Sequence, residues 1–406
     1  KRSNFSALLA GHHAPAIPVC IRRRPGLRRF WATNVQWPHM WRQRIDKIMS
    51  HPVTGKLKQY WLTVAFLLGF VVDNLTLNRV DQVFDNIILL TYVILAAAAL
   101  LLLYAGTVGK LGEHYSFTAR KYAPLAVQYA FGGLLSGMLI FYGRSGALVE
   151  SWPFLAIILA AIYFNETITN RTERLIYNLA IFFIGLMSYS VLVIPVLTGW
   201  MGPWIFIGSG FLALTLMYGY MQILYRIIPH FIDMQMKTIV FSIGCVYVGF
   251  NFLYFANVIP PIPLSLKDVG IYHSVVRFDD GRYQLKYEEG TWWQLFRDSD
   301  KVFHPQPDGN IFCFAKVFAP TRLATDIEHH WEFYNPQTER WESRGRLGYA
   351  IEGGRGDGYR GYTLIRNWQD GKWRCSVETT RGQVLGREVF TIDSSEEMRS
   401  LTTIFD

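Results

Sequence analysis

Long apolar runs fill the chain from about residue 57 to residue 258, and short alternating runs fill the remainder. The two regimes meet at Asn251–Leu266, where Pro260, Pro261 and Pro263 fall within four residues. Proline lacks a backbone donor and its ring clashes with the preceding turn, so no helix continues through this stretch. It predicts the end of the last apolar helix, followed by a stiff extended junction.

Seven runs approach the roughly 20 residues that span a bilayer. They are Leu57–Leu75, Asn86–Ala105, Pro124–Phe141, Trp152–Asn165, Leu175–Leu197, Trp204–Leu224 and Thr238–Val258, the fourth being short. Trp152, Trp200 and Trp204 stand at their flanks, where an interfacial aromatic belt is expected. Gly133 and Gly137 have the small-xxx-small spacing that lets two helices approach closely.

After the prolines the period changes. Ile271–Phe278 and Arg282–Glu288 flank Asp279-Asp280-Gly281, a hairpin signal. Further strand-like runs follow at Asn310–Phe318, Asp326–Tyr334, Arg340–Tyr349, Gly361–Ile365, Trp373–Thr379 and Val384–Ile392. Many short strands with glycine-rich turns predict an antiparallel sandwich or barrel. The fold class is therefore a membrane α-helical bundle of about seven transmembrane helices followed by an all-β, soluble, sandwich-like domain. Its parts are a disordered basic tail over 1–45, the transmembrane domain over 46–259, the proline-rich junction over 260–266 and the β domain over 267–406.

Composition agrees with a membrane chain: 51% of residues are hydrophobic and 17% charged, against about 25% charged in soluble chains. The formal charge of +9 belongs to the tail. Residues 1–45 hold nine lysines and arginines and no acid, which leaves 31 basic and 31 acidic residues elsewhere. Four prolines break any amphipathic helix there. The tail is expected to lack stable structure and to be upstream sequence, with Met40 or Met49 as the start. The β domain carries 19 basic and 22 acidic residues, too balanced for a phosphate-backbone binder, so no nucleic-acid partner is expected.

Charge in the short loops sets an orientation. Lys47, Lys56, Lys58, Lys110, Arg120, Lys121, Arg171, Arg174, Arg226 and Lys237 lie on one side, and Arg79 and Arg144 on the other. The positive-inside rule then puts the N-terminus in the cytoplasm, and an odd number of spans puts the β domain outside.

Chemistry-bearing motifs are few. Asp73, Gln128, Asn178 and Asn251 interrupt apolar runs, and the amides are expected to bond neighbouring helices. The four cysteines, Cys20, Cys245, Cys313 and Cys375, form no C-x-x-C pair. Cys245 is expected to be a small buried hydrophobe. Cys313 shares a strand face with Ile311 and Val317, and Cys375 with Trp373 and Val377, so both are expected to point inward. An oxidising compartment permits a bridge between them; burial without a bridge is the expected outcome. In Glu328-His329-His330 the two imidazoles point to opposite strand faces, so no metal site is expected.

Gly353–Thr363 contains G-x-G-x-x-G at Gly356, Gly358 and Gly361. A strand-like run follows it where a dinucleotide site needs a helix, so no cofactor is expected. The loop could instead present Arg355, Tyr359, Arg360 and Tyr362 to a ligand, arginine forks taking an anion and tyrosines stacking on a ring. The competing reading is a tight loop whose arginines pair with local acids. No hydrolase, kinase or metalloprotease motif names a nucleophile and base.

Val317-Phe-Ala-Pro320, Ile327-x-His329-x-Trp331, Gly353-Gly-Arg355, Gly358–Thr363, Gly371-Lys-Trp-Arg374 and Gly382-x-Val-Leu-Gly386 together resemble the family called domain of unknown function 2914. The resemblance runs from about Phe312 to Asp393 and implies a bacterial inner-membrane protein. It implies no activity and no catalytic residue. The expectation is a non-enzymatic protein whose periplasmic β domain binds an envelope glycan or a membrane-protein partner. The alternatives are a membrane enzyme or transporter acting on a lipid or cell-wall precursor through Asp73, Asp81 and Asp85, and an assembly factor for a membrane complex.

Overall fold

The computed structural model describes residues 70–145, 148–167, 174–288, 301–306, 309–395 and 399–406. The basic tail, Met40 and Met49, the first apolar run up to residue 69, Lys47, Lys56, Lys58 and Arg171 lie outside the described residues.

Seven helices precede a β-rich C-terminal domain among the described residues. They are α1 (70–76), α2 (Val83–Thr107), α3 (Glu113–Ser145), α4 (Leu148–Thr167), α5 (Leu175–Thr198), α6 (Pro203–Ile227) and α7 (Pro229–Phe255). Five of them, α2, α3, α5, α6 and α7, are long and apolar enough to cross a membrane. Helix α4 has a shorter apolar stretch, Ser151–Asn165, as the sequence suggests. Helices α3 and α7 begin about ten residues before their apolar runs, because helix-forming polar residues extend each one.

Small residues set the closest approaches. A Cβ on Gly133 would come within 2.5 Å of the Tyr92 ring, and one on Gly137 within 2.6 Å of Leu89. The small-xxx-small pair thus seats α3 against α2. Asn178 Nδ2 donates to the Tyr104 hydroxyl on α2 at 2.9 Å, as expected of an amide inside a bundle. Asn251 instead bonds within its own helix, to the Tyr247 carbonyl at 2.8 Å.

Cys245 is exposed on α7, not buried. An apolar run does not separate a helix face that packs on protein from one that faces lipid, since both are apolar.

The helix ends at Phe255, ahead of the prolines. The junction does not run free: Ile259, Ile262 and Leu264 are buried between the bundle and the β domain. Gln383 Nε2 donates to the Ile259 carbonyl at 3.3 Å, and Arg79 lies 4.8 Å over the Phe318 ring. Gly199, in the left-handed region at φ 73°, packs so that a Cβ would sit 2.5 Å from the Arg322 carbonyl. The connections over 319–323, 353–358 and 380–383 therefore rest on one end of the bundle.

Among the described residues eleven strands form three sheets: β1 (Ser265–Tyr272), β2 (Ser274–Arg277), β3 (Tyr283–Glu288), β4 (Val302–Phe303), β5 (Ile311–Phe318), β6 (Ala324–Asn335), β7 (Arg340–Glu352), β8 (Tyr359–Ile365), β9 (Gly371–Thr379), β10 (Val384–Ile392) and β11 (Leu401–Phe405). The orders are β1-β5-β8, β4-β10-β9-β6-β7 and β11-β3-β2. The hairpin at Asp279–Gly281 joins β2 to β3, with Gly281 at φ 85°. Within the single expected strand over 271–278, the chain breaks at His273 and its second half joins a different sheet.

The middle sheet is covered on both sides. Ile311, Cys313, Ala315 and Val317 of β5 face the five-stranded sheet, and Phe314 faces Tyr272, Val275, Tyr283 and Leu285. Cys313 and Cys375 are bonded across the first of these layers, with Cα atoms 6.6 Å apart. Burial is as expected; the expected absence of a bridge is corrected, because the two inward positions fall at the same height on facing sheets.

Candidate functional site

Strand alternation decides the fate of the Gly353–Thr363 loop. In β8, Tyr359, Gly361 and Thr363 face one way and Arg360 and Tyr362 the other. Arg355 lies 5.1 Å over the Tyr359 ring, and Tyr359 stacks on Tyr349. On the opposite face Arg360 Nε donates to Asp406 Oδ2 at 2.9 Å, and Lys316 pairs with the same carboxylate. Tyr362 meets Tyr283 and Phe312 edge-on. The four side chains form two separated pairs rather than one pocket. The glycines serve close packing: a Cβ on Gly361 would strike the Tyr349 ring, and one on Gly353 the Pro320 carbonyl. A strand follows the glycines, as the sequence predicts.

A larger polar array covers the outer face of the five-stranded sheet, the face turned away from the disulfide. It alternates with the core residues of β6, β7 and β9 and carries Glu328, His330, Glu332, Tyr334, Trp341, Arg346, Lys372, Arg374, Ser376 and Glu378. Glu332 receives two bonds from Arg374, that from Nη2 at 2.7 Å. Glu378 accepts from Arg346 Nη1 at 3.1 Å and lies 3.3 Å from His330 Nδ1. His330 Nε2 lies 2.9 Å from Ser343 Oγ. Burial pushes the Glu332 carboxyl up, but Arg374, with His330 and Arg387, holds the group below the usual carboxylate range. Toward the end away from the bundle, Arg374 lies 4.3 Å over Trp341, and Lys372 sits 5.9 Å over Tyr334 and 6.0 Å over Trp341.

Residues 324–392 match the family model Protein of unknown function (DUF2914). The DUF2914 segment coincides with β6 to β10, so it holds both the polar array and one half of the disulfide. Val317–Pro320, also part of the resemblance in sequence, lies just before it. No curated protein matches the chain. Solved structures that align include a β-glucosidase from Listeria innocua in complex with gluconolactone, at 9% identity, TM-score 0.17, 27% of this chain and 16% of that one. Another is the Pseudomonas fluorescens alkylpurine DNA glycosylase AlkC bound to DNA with an abasic site analog, at 9% identity, TM-score 0.20, 78% of this chain and 100% of that one. The chain spans about a sixth of the first of these.

Inside the DUF2914 segment, His329 is fully buried. Its Nδ1 lies 3.0 Å from Thr363 Oγ1 and its Nε2 3.0 Å from the Tyr349 hydroxyl. Trp331 Nε1 donates to the same Thr363 oxygen at 3.0 Å. Burial drives the imidazole pKa down to about 3. Cys313, Cys375 and His329 bring their ligand atoms within 4.8 Å of one another. The disulfide takes both sulfurs out of the ligand set, and two hydroxyls occupy the imidazole.

A second polar group sits where three strands meet outside the matched segment. Glu288 Oε1 lies 3.0 Å from His273 Nε2 and accepts from the His304 backbone at 3.0 Å; Glu288 Oε2 lies 2.6 Å from His304 Nδ1. Burial pushes this carboxyl up, and the bonds from both histidines bring it below its ordinary range. Residues 273, 288 and 304 share no sequence spacing that would announce the group. Of the outer acids, Asp73 accepts from Ser136 Oγ at 2.9 Å, Asp81 pairs with Arg79, and Asp85 accepts from the Asn78 and Arg79 amides through Oδ2, while its buried Oδ1 has no hydrogen-bond partner among the described residues.

Proposed function

We propose that this is a non-enzymatic integral protein of the bacterial inner membrane with seven crossings. Its N-terminus is cytoplasmic, and its β sandwich stands in the periplasm and binds an envelope glycan or a membrane-protein partner. The observation that carries the reading is the array on the outer sheet face, whose free end offers Tyr334, Trp341 and Lys372 on a strand framework seated on the bundle. Aromatic faces with adjacent donors and carboxylates suit a sugar or a polar peptide. The loop-charge asymmetry supports the topology, since the β domain rests at the end that carries Arg79 and Arg144.

Full-length protein in detergent, applied to peptidoglycan fragments and a glycan array and analysed for co-purified membrane proteins, tests this. Retention that Trp341→Ala abolishes supports the reading; clean negatives on both arms sink it. A reporter fused after Asp406 that is active only in the cytoplasm overturns the topology. An assembly role differs in yielding a stoichiometric membrane complex in mild detergent.

A further inference from the structure

Helix α1 brings one ionisable side chain to the seam between α2 and α3. Asp73 is buried, and Ser136 Oγ on α3 donates to its Oδ2 at 2.9 Å. The Tyr92 hydroxyl on α2 bonds the same carboxyl group, and it also bonds the Tyr129 hydroxyl of α3. Gly133 makes the room, since a Cβ there would meet the Tyr92 ring at 2.5 Å. Tyr92 and Ser136 each stand nine residues in from Val83 and Ser145, the ends of α2 and α3 on the side of the β domain. Nine helical rises are about 14 Å, and a hydrocarbon core is about 30 Å thick.

No cation pairs with this carboxyl group among the described residues; its partners are the two hydroxyls. Arg144, two turns beyond Ser136 on α3, is held by the Leu77, Asn78 and Asn74 carbonyls. Arg79 pairs with Asp81, and Asp85 on α2 turns its Oδ2 to the Asn78 and Arg79 amides. A bare carboxylate in an apolar interior is costly, and a paired cation, a bound ion or a proton relieves the cost. A bound metal ion takes about six oxygens, and the carboxyl group here meets two hydroxyls. A proton needs no further ligand. With it the chain has one hydrogen for each link, from Ser136 to Asp73, from Asp73 to Tyr92 and from Tyr92 to Tyr129.

We propose that Asp73 is a proton-binding site of the helical domain, carrying an exchangeable proton while α1 is seated on α2 and α3. The proton is exchanged with water on the side of the β domain, toward which Asn74, Thr76 and Asn78 form exposed polar steps. On release the O–H bond breaks, the electron pair stays on the carboxylate, and water takes the proton. The loop after α1 sets Arg79 over the Phe318 ring of β5, so the site lies one loop from the seat of the β domain.

Infrared difference spectroscopy of full-length protein in mild detergent tests this. At neutral pH the parent is expected to show the carbonyl stretch of a protonated carboxyl group, and Asp73→Asn to lack that one band. Alkaline titration is expected to remove the band reversibly while carboxylate bands grow in its place. Ser136→Ala is expected to keep the band and move it to higher wavenumber, because the carboxyl oxygen loses a hydrogen bond. Thermal melts at neutral pH that match the parent are the control for folding of both variants. Should Asp73→Asn fail to fold, the Ser136→Ala shift decides alone. Parent and Asp73→Asn spectra that agree in this region overturn the proposal and leave Asp73 an ionised tie between helices. A band that Ser136→Ala leaves unmoved overturns it too, since the proton then belongs to another carboxyl group. So does a band that persists through the alkaline titration, which marks a proton the fold does not exchange.

Discussion

The Arg381 guanidinium lies 4.4 Å over the Tyr254 ring, and the Arg381 carbonyl accepts from Asn257 Nδ2 at 3.1 Å. One residue of the β9–β10 turn thereby holds the last turn of α7 by both side chain and backbone. Arg381→Ala removes the cation–π half, worth up to about 2 kcal/mol when desolvated. The expected outcome is faster cleavage over 256–264 in limited proteolysis, with the bundle protected as before. Cleavage at the parent rate would show that the seat does not depend on this contact.

Cys313→Ser and Cys375→Ser each open a crosslink between residues 62 apart. The chain-entropy model values that loop at about 4 kcal/mol. The variants are expected to lose a large part of the stability of the β domain, and Cys313 and Cys375 in the parent to resist alkylation until the protein is both unfolded and reduced. Alkylation of Cys313 and Cys375 themselves in unreduced, denatured parent protein would remove the bridge.

His329 should make the β domain acid-sensitive in a defined window. Burial lowers its pKa from 6.5 to about 3, so the folded form holds the imidazole neutral while the unfolded chain takes up a proton. Stability is therefore lost as pH falls below 6.5, by about 2 kcal/mol at pH 5. The lowered carboxyls of Glu288 and Glu332 lose their contribution only further down, below their ordinary range. Urea midpoints from pH 7 to pH 5 should fall in the parent and stay flatter in His329→Gln; parallel curves would count against this role for the imidazole.

Asp406→Asn tests whether Arg360 is a structural or a ligand-facing residue. The carboxylate pairs with both Arg360 and Lys316, each largely covered. Its neutralisation is expected to cost about 1 kcal/mol, discounted for partial exposure, and to leave ligand binding at the outer sheet face unchanged. A binding defect without a stability change would return Arg360 to the binding surface.

The layout of the chain was readable from its patterning to different depths. Apolar runs located the long helices, because about 20 apolar residues have few other uses. The Gly133–Gly137 spacing located the α2–α3 contact. Strand alternation put Cys313, Cys375 and Trp373 inward, and they are buried. Alternation also separates Arg360 and Tyr362 from Tyr359, although their proximity in sequence suggested one loop surface. Three things were not readable. Which face of α7 meets protein has no compositional mark, hence the exposed Cys245. The break at His273, which sends β2 to a third sheet, follows from pairing with β3. The outer array comes from strands 40 residues apart in sequence, and its members look like ordinary surface charges until the register is known.

The buried junction has a mechanical consequence. A free proline linker would let the β domain swivel and would absorb a pull by bending. Ile259, Ile262 and Leu264 are instead clamped, and β6 extends twelve residues from the clamped end, about 40 Å. The domain is thus a lever with its fulcrum at the end of α7. A sideways load on the hairpin tip at 336–338 is delivered to that helix as torque.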